Sequence, residues 1–321
     1  MRVLTAIVLL IVAPLTAVPD ASRQTAPANR TMALTFDDLP FVAAGQPYFP
    51  AAARVTAEII DVLRRHRAPA IGFVNEAQLT RGGKEREDRV ALLQLWIDAG
   101  MSLGNHTYSH PDFNALTVDA FKDEIVKGEP TIKRLMAARG ADRLFFRHPM
   151  THTGDTKAKK DAIDAFLAGR GYRIAPHTIE NSDFIFNAVY VRSQAARDKE
   201  LARRVQDAYV DMTMAATTFA EGASRALFKR DIPQVLLLHA NVLTATSLDT
   251  MLTRFEARGY RFVSLEDAMA DSAYATADTM VSASGPTWFW RWARTLGVKL
   301  SPVGDPEVPE WVMDAYRRLT D

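Results

Sequence analysis

The sequence predicts an α/β fold: one (β/α) barrel with parallel strands and short additions at its ends. Short apolar runs alternate with longer amphipathic segments from residue 30 to about residue 270, which is the pattern of repeated βα units. A chain of 321 residues also suits one barrel domain with additions. Polar residues stand directly after the apolar runs, and in a parallel barrel those positions line one mouth.

The predicted elements follow this pattern in order along the chain. The strands are residues 32–36, 70–74, 101–104, 144–146, 172–175, 235–238 and 262–264. The helices are residues 51–67, 87–99, 118–139, 157–168, 195–229 and 247–257. Gly100, Gly140, Gly169 and Gly259 each follow the last apolar turn of a predicted helix, where a left-handed residue commonly ends the helix.

The composition is that of a globular protein without a strong charge. Hydrophobic residues make up 48% of the chain and charged residues 24%, and the formal net charge is +1. A nearly neutral chain gives no electrostatic reason to expect nucleic acid as a partner. The chain has no cysteine, which excludes disulfides and a lipid-modified N-terminal Cys.

The first 21 residues have the layout of a secretory signal peptide. Arg2 precedes an apolar run over residues 3–13, which is followed by Pro14 and small residues. The run is too short to cross a bilayer comfortably, so an uncleaved membrane anchor is the less favoured alternative. We therefore predict a signal peptide at residues 1–21, a linker at 22–29, and an exported protein, periplasmic or secreted, with no membrane span after signal removal.

The segment from residue 271 onward departs from the βα pattern and is rich in aromatic residues. It contains Trp288, Phe289, Trp290, Trp292 and Trp311. A helix that packs these rings on the barrel is the favoured interpretation, and a platform that stacks on sugars is the alternative. The predicted organisation is a catalytic domain at residues 30–270 and an aromatic extension at residues 271–321 packed on it.

Two adjacent carboxylates end the first predicted strand. Asp37 and Asp38 follow an apolar run, where buried charge is costly unless a cation or hydrogen bonds compensate it. On its own, such a pair is explained equally well by a turn in which one carboxylate caps the backbone.

Two histidines favour a metal site. His106 and His110, at i and i+4, would lie on one face of a helical turn and could bind the same ion. Two histidines and one aspartate describe either a catalytic zinc site or the facial triad of an iron oxygenase. A hydrolase also needs a base for the attacking water, so Asp37 beside Asp38 favours hydrolysis.

Other polar residues follow later predicted strands. His239 ends the most apolar run of the mature chain, where it is either a satisfied core residue or a general acid at the mouth. Arg147 follows two phenylalanines, and a buried guanidinium there would pair with a carboxylate such as Asp37. His148, His152 and His177 lie in loops near the same mouth and carry a weaker signal.

Five short motifs occur in order: TFDD at 35–38, HTYSH at 106–110, FRHP at 146–149, SDF at 182–184 and LLLH at 236–239. Together they resemble the motifs of the polysaccharide deacetylase family, the NodB-like carbohydrate esterases of family 4, over roughly residues 32–269. The resemblance implies a distorted barrel with seven or eight parallel strands. It also implies one divalent metal, zinc in the first place, with cobalt, manganese or nickel as alternatives.

The same resemblance implies a role for each motif residue. Asp37 matches the catalytic base, Arg147 the arginine that orients the base, His239 the catalytic acid, and Asp183 the aspartate that pairs with that histidine. The implied metal ligands are Asp38, His106 and His110.

The implied function is the removal of acetyl groups from an N-acetylated amino sugar in a polysaccharide or oligosaccharide, such as peptidoglycan or chitin, with release of acetate. A backbone N–H beside Tyr108 and Ser109 is expected to help stabilise the oxyanion. The alternatives are an acetyl xylan esterase, a hydrolase of small amides or cyclic ureides, and a non-catalytic carbohydrate-binding protein. Two departures from the family pattern, His148 before Pro149 and Phe184 in place of the usual tryptophan, lie at the expected groove and bear on the substrate.

Overall fold

The fold is a curled parallel sheet surrounded by helices. The computed structural model describes residues 30–44, 48–140 and 144–320, so the predicted signal peptide and linker lie outside the described residues. The strands are β1 (Arg30–Leu39), β2 (Ala70–Val74), β3 (Thr80–Arg81), β4 (Lys84–Glu85), β5 (Ser102–Asn105), β6 (Leu144–Phe146), β7 (Tyr172–Ile174), β8 (Gln234–His239) and β9 (Tyr260–Phe262). Within those residues, seven strands form one sheet, and β3 and β4 form a small antiparallel pair.

The strand order of the large sheet is β7-β6-β5-β2-β1-β8, with β9 paired to the start of β1, and every pair is parallel. The chain that leaves β7 crosses to the opposite edge, where Ile179 forms a parallel bridge with Leu236 of β8. The Leu237 N–H donates to Ile179 O at 3.0 Å across this bridge. The bridge curls the sheet into an incomplete barrel, and the predicted fold class is confirmed.

The helices pack around the sheet, and two of their differences from the predicted helices have a clear physical reason. They are α1 (Tyr48–Arg65), α2 (Glu87–Asp98), α3 (Val118–Lys127), α4 (Pro130–Ala138), α5 (Lys157–Gly169), α6 (Asp183–Ala195), α7 (Lys199–Phe228), α8 (Val242–Ala257), α9 (Leu265–Ala268), α10 (Trp288–Leu296) and α11 (Glu310–Thr320). The single helix predicted at 118–139 is two helices, because Pro130 has no N–H to donate and starts a new one. Helix α6 was not predicted, because most of its own side chains are buried and its sequence therefore shows no division into an apolar and a polar face. Among the described helices, none is long and apolar enough to cross a membrane.

Alternation of side chains along β1 separates two layers of the core. Leu34 and Phe36 pack in the large cluster that the sheet shares with the helices. Ala33 packs with Phe73 in a smaller cluster on the other face of the sheet. Asp37 continues the face of Ala33 and is only 3% exposed, so a carboxylate lies where the pattern of the strand requires a buried residue.

The segment after β9 folds back over the barrel mouth. Trp288, Phe289 and Trp292 of α10 are buried, and the Trp292 and Phe289 rings meet edge to face at 5.7 Å. The fully buried Arg291 donates to Thr151 O at 2.8 Å in the loop after β6. These aromatic rings therefore pack on the barrel, while the boundary between residues 270 and 271 stays a prediction.

Candidate active site

Asp37 and Asp38 lie near the carboxyl end of β1. The strand continues to Leu39, so both carboxylates lie inside it and not after it as predicted. Side chains alternate along a regular strand, which would place neighbouring residues on opposite faces. Here the register with β2 is irregular between Phe36 and Leu39, and Asp38 has a left-handed φ of 62°. This bulge allows both carboxylates to line one pocket.

His106 and His110 lie on the loop after β5. Their ring centroids are 4.9 Å apart, so the predicted proximity is present. The predicted helical turn is wrong: the loop is irregular, and Thr107 and His110 have left-handed φ values of 70° and 59°. Two left-handed residues, and not helical spacing, bring the imidazoles together.

Side-chain amides hold this loop in its unusual conformation. Asn105 Oδ1 accepts from the Thr107 N–H at 2.7 Å, and Asn75 Nδ2 donates to His106 O at 2.8 Å. A Cβ on Gly128 would lie 2.6 Å from Asn105 Oδ1, so this position has no room for a side chain. The loop is therefore fixed by residues from β5, from the chain after β2 and from the end of α3.

The backbone N–H groups of the loop already have acceptors. The Tyr108 N–H donates to Glu124 O at 3.0 Å, and the Ser109 N–H donates to Glu124 Oε2 at 2.7 Å. Each N–H is a single donor and is directed toward α3. The expectation that these two groups stabilise an oxyanion is therefore wrong.

Asp38, His106 and His110 form a candidate metal site. Asp38 Oδ1 lies 3.5 Å from His106 Nε2 and 3.4 Å from His110 Nε2. Two ligands about 2.1 Å from a tetrahedral metal are about 3.4 Å apart, so the spacing fits one ion. Among the described residues, the buried Asp38 Oδ1 has no hydrogen-bond partner. A buried, unpaired carboxylate oxygen that faces two imidazole nitrogens is suited to a cation.

The surroundings of His106 favour its role as a neutral ligand. Its Nδ1 lies 2.8 Å from Arg147 O, so the Nδ1–H donates to this carbonyl and Nε2 is left with a free lone pair. Burial lowers the pKa of His106 well below its usual value, which keeps the imidazole neutral. A neutral imidazole with Nε2 free is the form that binds a metal.

Arg147 lies buried beside Asp37. Its Nη1 is 3.5 Å from Asp37 Oδ2, and its Nη2 donates to Thr35 Oγ1 at 3.1 Å and to Pro176 O at 3.2 Å. The guanidinium also lies over the Phe73 ring, 4.9 Å from its centroid. Burial raises the pKa of Asp37, and the positive charge of Arg147 opposes that shift. The structure brings the two groups together, and the base role of Asp37 stays a prediction.

His239 and Asp183 form a second ion pair, next to the one between Arg147 and Asp37. His239 ends β8 in register with Asp37, and its Nδ1 lies 2.6 Å from Asp183 Oδ1. Asp183 Oδ2 accepts from the His239 N–H at 2.7 Å and from Thr244 Oγ1 at 3.2 Å. Burial alone would lower the pKa of His239, but the charge and hydrogen bond of Asp183 raise it to about 10. Asp183 therefore favours the protonated form of the imidazole, whose Nε2 lies 3.9 Å from Asp38 Oδ2.

A pocket of about 470 Å³ lies beside these groups, and all of them except Arg147 and Asp183 line it. One side of it is lined by five side chains: Asp37, Asp38, His106, His110 and His239. The other side is formed by Met150 and Thr151, by Glu180 and by Gly285 of the C-terminal segment, none of which was predicted as a site residue. Glu180 lies in the loop that leads to Asp183, which is a local signal, whereas no motif marks Gly285.

The remaining loop histidines have different positions. His177 lines the pocket and is fully buried. His148 stacks on Phe121, with ring centroids 5.9 Å apart, and packs in the core. His152 Nδ1 lies 2.8 Å from Asp112 Oδ1, outside the pocket. Of the three, only His177 is placed to contact a ligand beside the triad.

Comparisons with known proteins point to one family. Residues 24–165 match the model of the family described as polysaccharide deacetylase. A chitooligosaccharide deacetylase of Sinorhizobium fredii is 38% identical over 82 residues, which cover 26% of this chain and 30% of that protein. A peptidoglycan-N-acetylglucosamine deacetylase of Bacillus cereus is 30% identical over 110 residues, 34% of each chain. The chain thus spans about a third of the length of these relatives.

Solved structures share the fold at low sequence identity. The polysaccharide deacetylase Bc1974 from Bacillus cereus has a TM-score of 0.50 and 18% identity, with 73% of this chain and 92% of that chain covered. A mutant of a family 4 carbohydrate esterase pseudoenzyme, with restored activity, also has a TM-score of 0.50, at 19% identity over 76% of this chain and 69% of that chain. These likenesses support the incomplete barrel and carry no information on substrate.

Proposed function

We propose that this chain, whose residues 24–165 belong to the polysaccharide deacetylase family, is a metal-dependent hydrolase that releases acetate from an N-acetylated amino sugar. The substrate would be a polysaccharide or oligosaccharide of the peptidoglycan or chitin kind. One observation carries the proposal. The candidate metal triad, Asp38 with His106 and His110, has two ion pairs beside it: Asp37 with Arg147, and His239 with Asp183. Metal-dependent hydrolysis of an amide uses a Lewis acid, a base for the attacking water and an acid for the departing amine, and these parts correspond to the three.

The triad has the donor set of a catalytic zinc site. Two imidazole nitrogens and one carboxylate oxygen leave further positions open for ligands other than protein. A divalent metal held there would act as a Lewis acid, polarising the acyl carbonyl and lowering the pKa of the attacking water. Zinc is the first candidate, and cobalt, manganese and nickel are the alternatives.

Asp37 is placed to act as the base. It is buried beside the triad, with Oδ2 3.8 Å from His106 Nε2, so a water at the triad would lie within its reach. Burial favours proton uptake by this carboxylate, and Arg147 fixes its orientation. Asp37 would therefore take one proton from the water as the oxygen attacks the acetyl carbon.

His239 is placed to act as the acid on the opposite side. Asp183 accepts the Nδ1–H and so directs the Nε2–H toward the pocket. When the bond between carbon and nitrogen breaks, this proton would pass to the departing amine. Water has then supplied the hydroxyl of acetate, and the amino sugar leaves with a free amine.

The choice of an acetylated carbohydrate is supported by the relatives and by the expected location. Matched proteins are named as deacetylases of peptidoglycan and of chitooligosaccharide. Residues 1–21 have the layout of a signal peptide, and we propose export to the periplasm or beyond the cell, where such polymers occur. The intact acid, base and triad argue against a non-catalytic binding protein.

Acetate release tests this function. The purified mature chain would be incubated with chitin oligomers, peptidoglycan and acetylated xylan, with and without chelator, and then with zinc restored. We expect release from the amino-sugar substrates that stops with chelator and returns with zinc. Release from xylan alone would favour the esterase, and no release despite one bound metal per chain would favour a small amide.

A matched pair of histidine variants separates the triad from general effects of substitution. His110→Ala removes one member of the triad and is expected to lose both bound metal and acetate release. His66→Ala is the control, because His66 pairs with Asp249 and Glu256 of α8 and does not line the pocket. Equal metal content in the two variants would exclude His110 as a ligand.

A further inference from the structure

A second cavity lies next to the pocket, on the side of the C-terminal extension. Its volume is about 660 Å³, and it shares His177, Glu180 and Gly285 with the pocket beside the triad. Residues between 302 and 317 form its outer wall. Because the two cavities share lining residues, a ligand longer than one sugar unit would extend from one into the other.

The outer wall is a packed part of the fold. Val312 is fully buried, and the Tyr316 ring meets Phe184 edge to face at 6.5 Å. The guanidinium of Arg204 lies 3.9 Å from the centroid of the Trp311 ring. The extension is therefore held against α6 and α7, and the cavity that it encloses has a defined shape.

Carboxylates dominate the charged groups around this cavity. Among the described residues, Glu180, Asp305 and Glu307 have no ion-pair partner within 4.0 Å. Glu310 differs, since its Oε1 lies 2.7 Å from Arg317 Nη1. Asp305 and Glu307 are exposed carboxylates, and burial raises the pKa of Glu180. A positively charged ligand in the cavity would therefore be attracted by the first two and would stabilise the charged form of the third.

An unpartnered imidazole at the junction points independently to a ligand. His177 is 0% exposed, and neither of its ring nitrogens has a hydrogen-bond partner within the described residues. Burial lowers the pKa of His177 well below its usual value, so the neutral ring offers one donor and one acceptor. Buried polar groups are normally satisfied, and this one lines both cavities, where a bound chain would pass.

We propose that the second cavity binds the free ammonium group of an amino-sugar unit adjacent to the acetylated unit at the triad. The inference rests on the proposed function, because it assigns a neighbouring subsite to the same substrate chain. Asp305 and Glu307 attract the ammonium group from the outer wall, Glu180 lies at the junction with the pocket, and His177 bonds a hydroxyl between the two units. An acetylated unit is neutral, so the cavity favours chains that are already partly deacetylated.

Binding of two oligomers to chains that also carry Asp37→Asn, and that are therefore expected not to deacetylate them, tests this assignment without turnover. The probes are a glucosamine tetramer without acetyl groups and its fully acetylated counterpart, and the measured quantity is the dissociation constant by calorimetry. In the Asp305→Asn/Glu307→Gln double variant we expect binding of the glucosamine tetramer to weaken about 5-fold. Binding of the acetylated tetramer should change less than about 2-fold, and added salt should weaken only the first interaction.

The matched control carries the same substitutions on the outside of α7. Glu200→Gln/Asp207→Asn removes two exposed carboxylates that do not line either cavity, and both affinities should stay at the values of Asp37→Asn alone. Equal weakening of both probes in the cavity variant would mean recognition of neutral hydroxyls and would overturn the proposal. The same holds if the glucosamine tetramer does not bind.

Failure of the proposed function has a separate signature. If the wild-type chain binds the glucosamine tetramer through these carboxylates but releases no acetate, the ammonium site stands and the deacetylase assignment is wrong. If the chain releases acetate but the two double variants have the same affinity for the glucosamine tetramer, the proposed function stands and the ammonium subsite is wrong.

Discussion

The two sides of the pocket are held together in different ways. On one side, Asp37 and His239 are paired in register on neighbouring strands, and His106 directly follows a third strand of the same sheet. On the other side, Thr151 Oγ1 donates at 2.6 Å to the carbonyl of Gly285, a residue 134 positions further along the chain. The first side depends on strand register, and the second on packing between distant segments.

Under the proposed function, this difference separates the residues assigned to the chemistry from those assigned to substrate recognition. Strand register is fixed by the whole sheet, so the groups to which we assign the reaction should keep their spacing when one side chain is changed. The opposite wall depends on a few contacts, above all those of Arg291 and Gly285. Substitutions on the register side should therefore reduce turnover in a stable protein, whereas those on the packed wall should reduce stability and substrate affinity.

Asp37→Asn should have the largest effect on turnover. The amide cannot take a proton, so acetate release should fall about 10²–10⁴-fold while metal content stays close to wild type. Arg147 loses its carboxylate but keeps its bonds to Thr35 and Pro176, so the melting temperature should fall less than in Arg291→Ala. Acetate release, metal analysis and thermal unfolding measure the three quantities. Asp119→Asn, an exposed carboxylate on α3, is the control and should be unchanged. Substantial activity in Asp37→Asn would remove it as the base.

Arg291→Ala should have the largest effect on stability. Arg291 is fully buried and bonds Thr151 O, Thr153 Oγ1 and Asp278 Oδ2 at 2.8, 2.8 and 2.9 Å. Loss of a buried ionic partner costs about 3–5 kcal/mol, and Lys160 beside Asp278 should hold the loss near the lower value. Denaturant unfolding measures it, with the exposed Arg294→Ala as control. Equal stability of the two variants would contradict the packed wall.

Asp183→Asn should have an intermediate effect on the rate. The amide can accept one hydrogen bond from His239 but no longer favours its protonated form, so kcat should fall roughly 10–100-fold. KM should change little, because Asp183 is a positioning residue that does not line the pocket. A pH profile of kcat that is the same as that of the wild type would argue against this coupling.

The side of the pocket that holds Asp37, His106 and His239 could largely be predicted from the sequence. Residues directly after strands of a parallel barrel meet at one mouth, so Asp37, His106, Arg147 and His239 could be grouped without a structure. Their backbone conformation could not be predicted. The left-handed φ of Asp38 is one that L-residues rarely adopt, and the loop after β5 is held by side-chain bonds from other segments. The same histidine spacing also suits a helical turn, which is why that prediction was wrong.

The opposite wall of the pocket, which contains Thr151 and Gly285, could not be predicted from the local sequence pattern. Helix α6 is buried on most faces, and the residues that meet across the wall come from segments with no shared motif. The aromatic residues of the extension indicated packing on the barrel, and the burial of Trp292 fits that interpretation. Nothing in the sequence around Gly285 indicates which loop it would contact, because that contact follows from the path of the whole segment after β9.

Gly285→Ala should have the smallest effect of the four and is specific to the wall. A Cβ at this position would lie 2.0 Å from Thr151 Oγ1 and 2.1 Å from Met150 O, so the segment must shift. We expect a loss of about 1–3 kcal/mol and a higher KM, with metal content unchanged. Gly222→Ala is the matched control: its Cβ would meet nothing within 4 Å on α7, and it should stabilise the helix by up to about 1 kcal/mol. If both variants were equally stable and had the same KM, Gly285 would not be a fixed part of the wall, and the contrast between the two sides of the pocket would fail.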